Sequence, residues 1–165
     1  MLDDSFRVAP LVERFAGPIV DVGSGGGAPG IPLAVARPGR EVTLLESQER
    51  KCEFLRRWAR ELPNVRVVQG RAEEQPVDEY GVAVAKALAP PVVAAEWCLP
   101  LVRPGGAAIL FVGPTADLEA LTRASSRLGG GEPDEQYGLV VLAKLEPTPK
   151  GFPRRTGVAR KRPLV

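Results

Sequence analysis

The chain has 165 residues, which is enough for one domain with one hydrophobic core, and its hydrophobic content of 44% is ordinary for a globular protein. It contains no histidine, which excludes histidine-based catalytic triads, histidine metal ligands and histidine general bases. No apolar stretch reaches transmembrane length, and the opening residues do not resemble a secretory leader, so we expect a cytoplasmic protein.

Charge is unevenly distributed along the chain. Six of the 22 basic residues, and none of the 20 acidic ones, lie from Lys150 onward, so a mildly acidic body is followed by a basic C-terminal tail, residues 146–165. Such a tail suggests an anionic macromolecular partner. The same composition also fits a solvated, disordered end, and both interpretations stay open on composition alone.

Apolar β-type runs alternate with helical patterns along most of the chain. Residues 1–17 form a lead-in helix with a loose apolar stripe, interrupted by Pro10, that we expect to pack against the edge of a sheet. Strands are predicted at 18–22, 41–46, 65–70, 81–86, 107–112 and 139–145, and helices at 29–37, 48–62, 91–102 and 115–128. Ser47 is the predicted N-cap of the helix at 48–62, residues 129–138 are a predicted loop, and residues after 145 are predicted to be irregular.

This alternation predicts an α/β fold with a doubly wound, mostly parallel sheet in a single domain spanning residues 1–165. In such sheets, ligands bind outside the carboxyl ends of the strands. Several chemically capable residues follow predicted strand ends, namely Asp21 with its glycines, Glu46, Arg71 to Glu73, and Lys86. We therefore expect one binding site at this edge.

The glycine-rich turn after the first strand, Asp21 to Gly30, fits two spacings of a dinucleotide fingerprint. Asp21 distinguishes between two candidate ligands, a dinucleotide and S-adenosylmethionine. A carboxylate at the strand end would repel the pyrophosphate of a dinucleotide. The same carboxylate would attract the sulfonium and ammonium groups of S-adenosylmethionine. The residue pattern thus favours S-adenosylmethionine over NAD, and a glycine turn without a ligand remains the structural alternative.

With these residues placed, the chain resembles the RsmG family (glucose-inhibited division protein B, GidB) of Rossmann-like class I S-adenosylmethionine-dependent methyltransferases. The resemblance rests on Asp4-Ser5, the segment Asp21 to Ala34, Leu44 to Ser47, Gly70 to Glu73, Ala87 to Pro90, and the tail motif Phe152 to Leu164. It implies an rRNA methyltransferase that modifies guanine N7 of 16S ribosomal RNA, with ribosomal RNA or the small ribosomal subunit as partner. We expect a monomer without a metal ion.

The resemblance also implies roles for individual residues. Gly23, Gly25 and Ala28 would line the methionine end of the cofactor, Glu46 would bind the ribose, and Ala72 and Glu73 would bind the adenine. Asp21 joins the predicted cofactor-binding residues on the charge argument given above. Lys86 stands where the family has an arginine that faces the cofactor and the target base, so it is the catalytic candidate. The predicted RNA-binding residues are Arg71, Arg154, Arg155 and Lys161.

Three features depart from the family pattern. The chain begins almost at the Asp4-Ser5 motif, Val112 replaces a lysine before Gly113, and no strand is evident before residues 139–145. Two alternative functions therefore stay open. One is methyl transfer to another RNA or to a small molecule, and the other is a non-catalytic protein that keeps the fold to bind RNA or a partner.

Overall fold

The structure is a computed structural model that describes residues 2–165, with side chains from residue 4 onward. The helices are α1 (Leu2–Val12), α2 (Gly30–Ala36), α3 (Glu49–Ala59), α4 (Pro91–Cys98), α5 (Leu118–Arg127) and α6 (Val158–Lys161). The strands are β1 (Ile19–Val22), β2 (Val42–Glu46), β3 (Val65–Gln69), β4 (Tyr80–Ala85), β5 (Val102–Phe111), β6 (Asp134–Gln136) and β7 (Leu139–Ala143). Short 3-10 turns cover Ala72–Glu74 and Leu99–Leu101.

All seven strands form one sheet in the order β3-β2-β1-β4-β5-β7-β6. The five strands from β3 to β5 pair in parallel, and β7 and β6 are antiparallel to their neighbours. The chain winds outward from β1 in one direction and then from β4 in the other, so the strand order switches between β1 and β4. The predicted doubly wound, mostly parallel sheet is confirmed, and the switch point is where such folds bind ligands.

Helices cover both faces of the sheet, which explains why the central strands are apolar throughout. One core cluster joins the sheet to α4, α5 and α6 through residues such as Trp97, Leu121 and Ala159. The other joins the opposite face to α1, α2 and α3 through residues such as Leu11 and Leu55. Burial on both faces holds the strand ends in one fixed row, and that row forms the candidate site.

The lead-in helix differs from the prediction in length and position. It continues through Pro10 to Val12, and it packs beside α2 on a face of the sheet rather than against the sheet edge. Val8 and Val12 are fully buried there. The apolar stripe of α1 is therefore part of the hydrophobic core of the domain.

Several predicted boundaries were also wrong. Ser47 does not cap α3, because Gln48 occupies the cap position and its N–H donates to the Glu46 side chain. The helix predicted over 91–102 ends at Cys98, and β5 begins at Val102. The helix predicted from 115 begins at Leu118, where Asp117 accepts a hydrogen bond from the N–H of Ala120.

The predicted loop at 129–138 contains β6, which pairs with β7 at the sheet edge. Its residues are polar and largely exposed, so they carry no hydrophobic alternation that could reveal a strand. The neighbouring strand supplies its hydrogen-bond partners. One departure from the family pattern therefore disappears in three dimensions.

Lys144 is the largest fully buried side chain and follows directly after β7. Its ammonium group donates to the Asp78 carboxylate at 3.0 Å, to the carbonyls of Leu99 at 2.7 Å and Val102 at 2.8 Å, and to the Thr148 hydroxyl at 2.8 Å. Four oxygen partners compensate for the loss of hydration that burial imposes on the charge. This cluster fixes the beginning of the tail to the body of the domain.

Candidate functional site

A cavity of about 540 Å³ opens at the carboxyl edge of the sheet. It is bounded by the ends of β1, β2, β3 and β4 and by the tail. Its walls contain two carboxylates and three cations. The lining residues include Val22, Gly23, Leu45 to Gln48, Lys51, Gly70 to Glu73, Ala87, Leu88, Trp97 and Arg160.

Glu46 lies at the end of β2, and its side chain is almost wholly buried. One carboxylate oxygen accepts the N–H of Gly25 at 2.9 Å, and the other accepts the N–H of Gln48 at 3.0 Å. The carboxylate thereby connects the glycine loop to the start of α3. Each oxygen retains further lone-pair capacity for a ligand hydroxyl, which suits a vicinal diol such as ribose.

Asp21 does not line this cavity. Its carboxylate is 1% exposed and accepts the N–H of Gly30 at 2.9 Å. Burial raises the pKa of Asp21 to about 7. The expectation that this carboxylate faces the crevice and selects a cation there by direct contact is therefore wrong, because the side chain points under the loop that it stabilises.

The glycine loop contributes to the cavity at only one of its predicted positions. Gly23 lines the cavity with a φ of +70°, and a Cβ atom there would lie 2.4 Å from a methyl group of Leu88. The N–H of Gly25 donates to the Glu46 carboxylate, and Gly25 does not line the cavity. Ala28 lines a separate apolar pocket of about 260 Å³ beside Phe54. The three residues predicted at the methionine end are therefore not brought together in one wall.

The segment after β3 lies where the sequence predicts it. Arg71, Ala72 and Glu73 all line the cavity, with Ala72 buried and Arg71 exposed at the rim. A Glu73 carboxylate oxygen accepts the N–H of Gly157 at 3.3 Å. The predicted adenine residue is thus also a contact point for the tail.

Lys86 is paired rather than free. Its ammonium group lies 3.0 Å from the Asp4 carboxylate and 5.7 Å from the centroid of the Phe111 ring. The hydrogen bond and the charge of Lys86 hold the pKa of Asp4 below its usual value. Lys86 does not line the cavity, so this structure places the catalytic candidate beside the pocket, at the junction of α1 and β4.

The tail is ordered and packed, which rules out a solvated, disordered end. Arg154, predicted to contact RNA, instead forms a two-point ion pair with Glu96 of α4, a residue only 2% exposed. The Glu96 side chain raises the pKa of Arg154. Arg155 and Lys161 are exposed and remain available to a partner.

Sequence reasoning missed several residues of the cavity. Ala87 and Leu88 follow β4, so the rule about strand ends could have found them. In the sequence, Lys51 and Arg160 do not differ from other exposed basic residues. Trp97 lies in an apolar helical segment, so nothing in the sequence marks it as a cavity residue. Their contribution depends on how α3, α4 and the tail meet around the cavity.

Among the described residues, no group of three or more Cys, Asp or Glu side chains is arranged to hold a metal ion. Within residues 2–165, none of the helices combines the length and the apolar character that a membrane crossing demands.

Solved methyltransferase structures share the fold. The antibiotic-resistance methyltransferase Kmr superimposes with a TM-score of 0.65 at 17% identity, covering 86% of this chain and 93% of that one. Magnesium protoporphyrin IX methyltransferase (ChlM) from Synechocystis, solved with bound S-adenosylmethionine, gives a TM-score of 0.65 at 16% identity over 86% and 79% of the two chains. The chain therefore has a class I methyltransferase fold.

Sequence relatives identify the family. A ribosomal RNA small subunit methyltransferase G from Synechococcus elongatus is 37% identical, over 98% of this chain and 75% of that protein. The protein of the same name from Carboxydothermus hydrogenoformans is 41% identical, over 88% of this chain and 70% of that protein. Residues 1–130 match the family model described as GidB, rRNA small subunit methyltransferase G. The chain therefore belongs to the GidB family of rRNA small subunit methyltransferases.

Proposed function

We propose that this protein transfers a methyl group from S-adenosylmethionine to N7 of a guanine in 16S ribosomal RNA. The single observation that carries the proposal is the cavity at the carboxyl edge, where Glu46 and the segment 71–73 meet in a member of this family. Its volume of about 540 Å³ falls within the ordinary range of cofactor pockets.

The residues present fit the cofactor. Glu46 offers two oxygens to the ribose hydroxyls, and Ala72 and Glu73 line the same cavity, where we place the adenine. Gly23 leaves space where any Cβ would collide with Leu88. When bound, S-adenosylmethionine supplies an electrophilic methyl group on its sulfonium.

The acceptor explains why the chain needs no histidine. Guanine N7 carries a lone pair and no proton, so the protein does not have to supply a general base. Its contribution is to hold the base in line with the methyl group, and such orientation lowers a barrier by about 7–11 kcal/mol in favourable cases. Asp21 contributes indirectly, by fixing the loop that borders the site.

Cations around the site suit the nucleic acid partner. Arg71 is exposed on the rim of the cavity, and Arg155 and Lys161 are exposed on the tail. We assign phosphate contacts to these three residues. Lys86 would hold the guanine O6 or a phosphate once RNA competes with Asp4 for its ammonium group. The target base must be unpaired or splayed out, because a duplex hides its bases.

The test is transfer of a labelled methyl group from S-adenosylmethionine to small ribosomal subunits that lack the modification, followed by mapping of N7-methylguanine in the 16S RNA. We expect label at one guanine. Label in another RNA would favour methyl transfer to a different substrate. Tight cofactor binding without label in any RNA would favour a non-catalytic protein. Deleting residues 150–165 cannot separate these outcomes, because Ala159 and Leu164 are buried in the core.

A further inference from the structure

The tail packs against the candidate site through a segment that we call the C-terminal arm, residues 152–164. Ala159 and Leu164 of the arm are buried in the core cluster of α4 and α5. The ion pair between Arg154 and Glu96 joins the arm to α4. The arm is thus a fixed part of the domain in a position next to the cavity.

The arm also contacts the loop that follows β3. The N–H of Gly157 donates to Glu73 at 3.3 Å, and the hydroxyl of Thr156 donates to Glu74 at 3.0 Å. Glu73 is the residue predicted to lie beside the adenine. These two hydrogen bonds therefore bring the arm to the wall of the cavity that is formed by the loop after β3.

Arg160 extends from the arm into the cavity wall. Its guanidinium donates to the Leu88 carbonyl at 3.4 Å and lies 5.3 Å from the centroid of the Trp97 ring. Arg160, Leu88 and Trp97 all line the cavity. Arg160 is exposed, and among the side chains of residues 4–165 no carboxylate accepts a hydrogen bond from it, so its remaining donors and its planar group are available to a ligand.

We propose that the C-terminal arm is the outer wall of the cofactor pocket and that Arg160 contacts the adenosine part of the bound cofactor. The inference rests on the proposed function, since it assumes that the cavity holds S-adenosylmethionine. It assigns a binding role to a residue of the tail that is neither a strand-end residue nor one of the predicted RNA contacts.

Position and charge together indicate which part of the cofactor Arg160 meets. The arm that carries Arg160 contacts Glu73, the residue predicted to lie beside the adenine. The amino-acid end of S-adenosylmethionine carries a carboxylate that attracts a guanidinium and two cations that repel it, so charge does not favour that end. The adenine ring is neutral, its face attracts a cation, and its ring nitrogens accept hydrogen bonds. A planar guanidinium that lies 5.3 Å from the Trp97 ring centroid can satisfy both interactions with an adenine. Arg160 therefore matches the base rather than the amino-acid end.

The experiment compares two ligands by calorimetry, S-adenosylhomocysteine and adenosine, which share the nucleoside and differ in the amino-acid end. The variant is Arg160→Met, and the matched control is Arg162→Met, an exposed arginine near the end of the same arm that does not line the cavity. We expect Arg160→Met to weaken binding of both ligands by about fivefold, as for loss of a cation–π contact, and Arg162→Met to leave both affinities unchanged. Thermal melting verifies that the folds match.

Tryptophan fluorescence provides a second measurement. Trp58→Phe leaves Trp97 as the only tryptophan of the chain. We expect adenosine to alter the Trp97 emission when Arg160 is present, and to alter it less in the Arg160→Met background.

Three results would overturn the inference. Unchanged affinity of Arg160→Met for both ligands would remove Arg160 from the pocket. A loss confined to S-adenosylhomocysteine would place it at the amino-acid end. A wild-type protein that binds neither ligand would refute the proposed function itself, and the measurement on the wild type alone distinguishes that case from the other two.

Discussion

The carboxylate of Asp21 accepts a hydrogen bond of 2.9 Å from the N–H of Gly30 and so joins the two ends of the glycine loop. A Cβ atom at Gly30 would lie 2.7 Å from that same carboxylate oxygen and 2.4 Å from a methyl group of Leu44. The loop therefore requires both an acceptor at position 21 and glycine at position 30. The shape of the loop is therefore fixed by Asp21, which is buried beneath the loop and does not line the cavity.

Asp21→Asn should change how stability depends on pH. Burial raises the pKa of Asp21 to about 7 in the folded protein, so between about pH 4 and pH 7 the folded chain holds a proton that the unfolded chain has released. The contribution of Asp21 to stability therefore falls as pH rises through this interval. Asparagine keeps an acceptor for Gly30 and does not ionise. From pH 5 to pH 8 we expect the variant to gain about 1–3 kcal/mol relative to wild type in urea unfolding. Parallel pH profiles for the two proteins would contradict this.

Glu46→Gln should weaken cofactor binding. The substitution removes the charge and replaces one acceptor oxygen by an amide NH₂, so one of the two backbone donors, Gly25 or Gln48, loses its partner. We expect affinity for S-adenosylhomocysteine to fall by about tenfold, measured by calorimetry. The control is Glu41→Gln, an exposed carboxylate just before the other end of β2. Equal affinity of both variants would exclude Glu46 from ribose binding.

Neutralising Lys86 and neutralising its partner Asp4 should have different effects on kcat. Lys86→Met removes the cation proposed to hold the guanine, and we expect kcat for methyl transfer to small ribosomal subunits to fall by about tenfold. Asp4→Asn removes the carboxylate 3.0 Å from the ammonium group and leaves the cation free for RNA. We expect this variant to retain kcat or to exceed the wild-type value. If both substitutions reduce kcat to the same degree, the ion pair itself is what the reaction needs, and Lys86 has no role as a free cation.

Arg154 and Arg155 are adjacent, but we expect them to act on different properties. Arg154→Met leaves the buried Glu96 carboxylate without its partner, and unfolding by urea should show a loss of about 3 kcal/mol. Arg155→Met affects an exposed side chain, so stability should stay the same while affinity for the ribosomal subunit falls. The double variant Arg154→Met with Glu96→Met should recover much of the lost stability, because no unpaired charge stays buried. A stable Arg154→Met protein would contradict the structural role of the ion pair.

The local pattern of the sequence was sufficient for the architecture. Alternating or continuous runs of apolar residues predicted the strands, and glycines followed by proline predicted the turn after β1. These signals could be read from the sequence because they depend only on neighbours along the chain. The same patterns placed Glu46 and the segment 71–73 at strand ends, and parallel strands necessarily bring those ends to one edge. The family resemblance rested on motifs in these segments and in the tail, and the relatives confirmed it.

The direction and pairing of charged side chains were decided only in three dimensions. Asp21 turns under the loop, Arg154 pairs with a residue 58 positions earlier, and Lys144 is buried among oxygens that include Asp78, 66 positions earlier. No local sequence pattern reveals such contacts. A charged residue that becomes buried looks the same in the sequence as one that stays exposed to solvent. The short strand β6 likewise exists because β7 offers it hydrogen-bond partners. The sequence by itself determined that Glu46 and the segment 71–73 meet at the carboxyl edge, because parallel strands end there. The tertiary packing determined which other residues join them and which charged side chains still face a ligand.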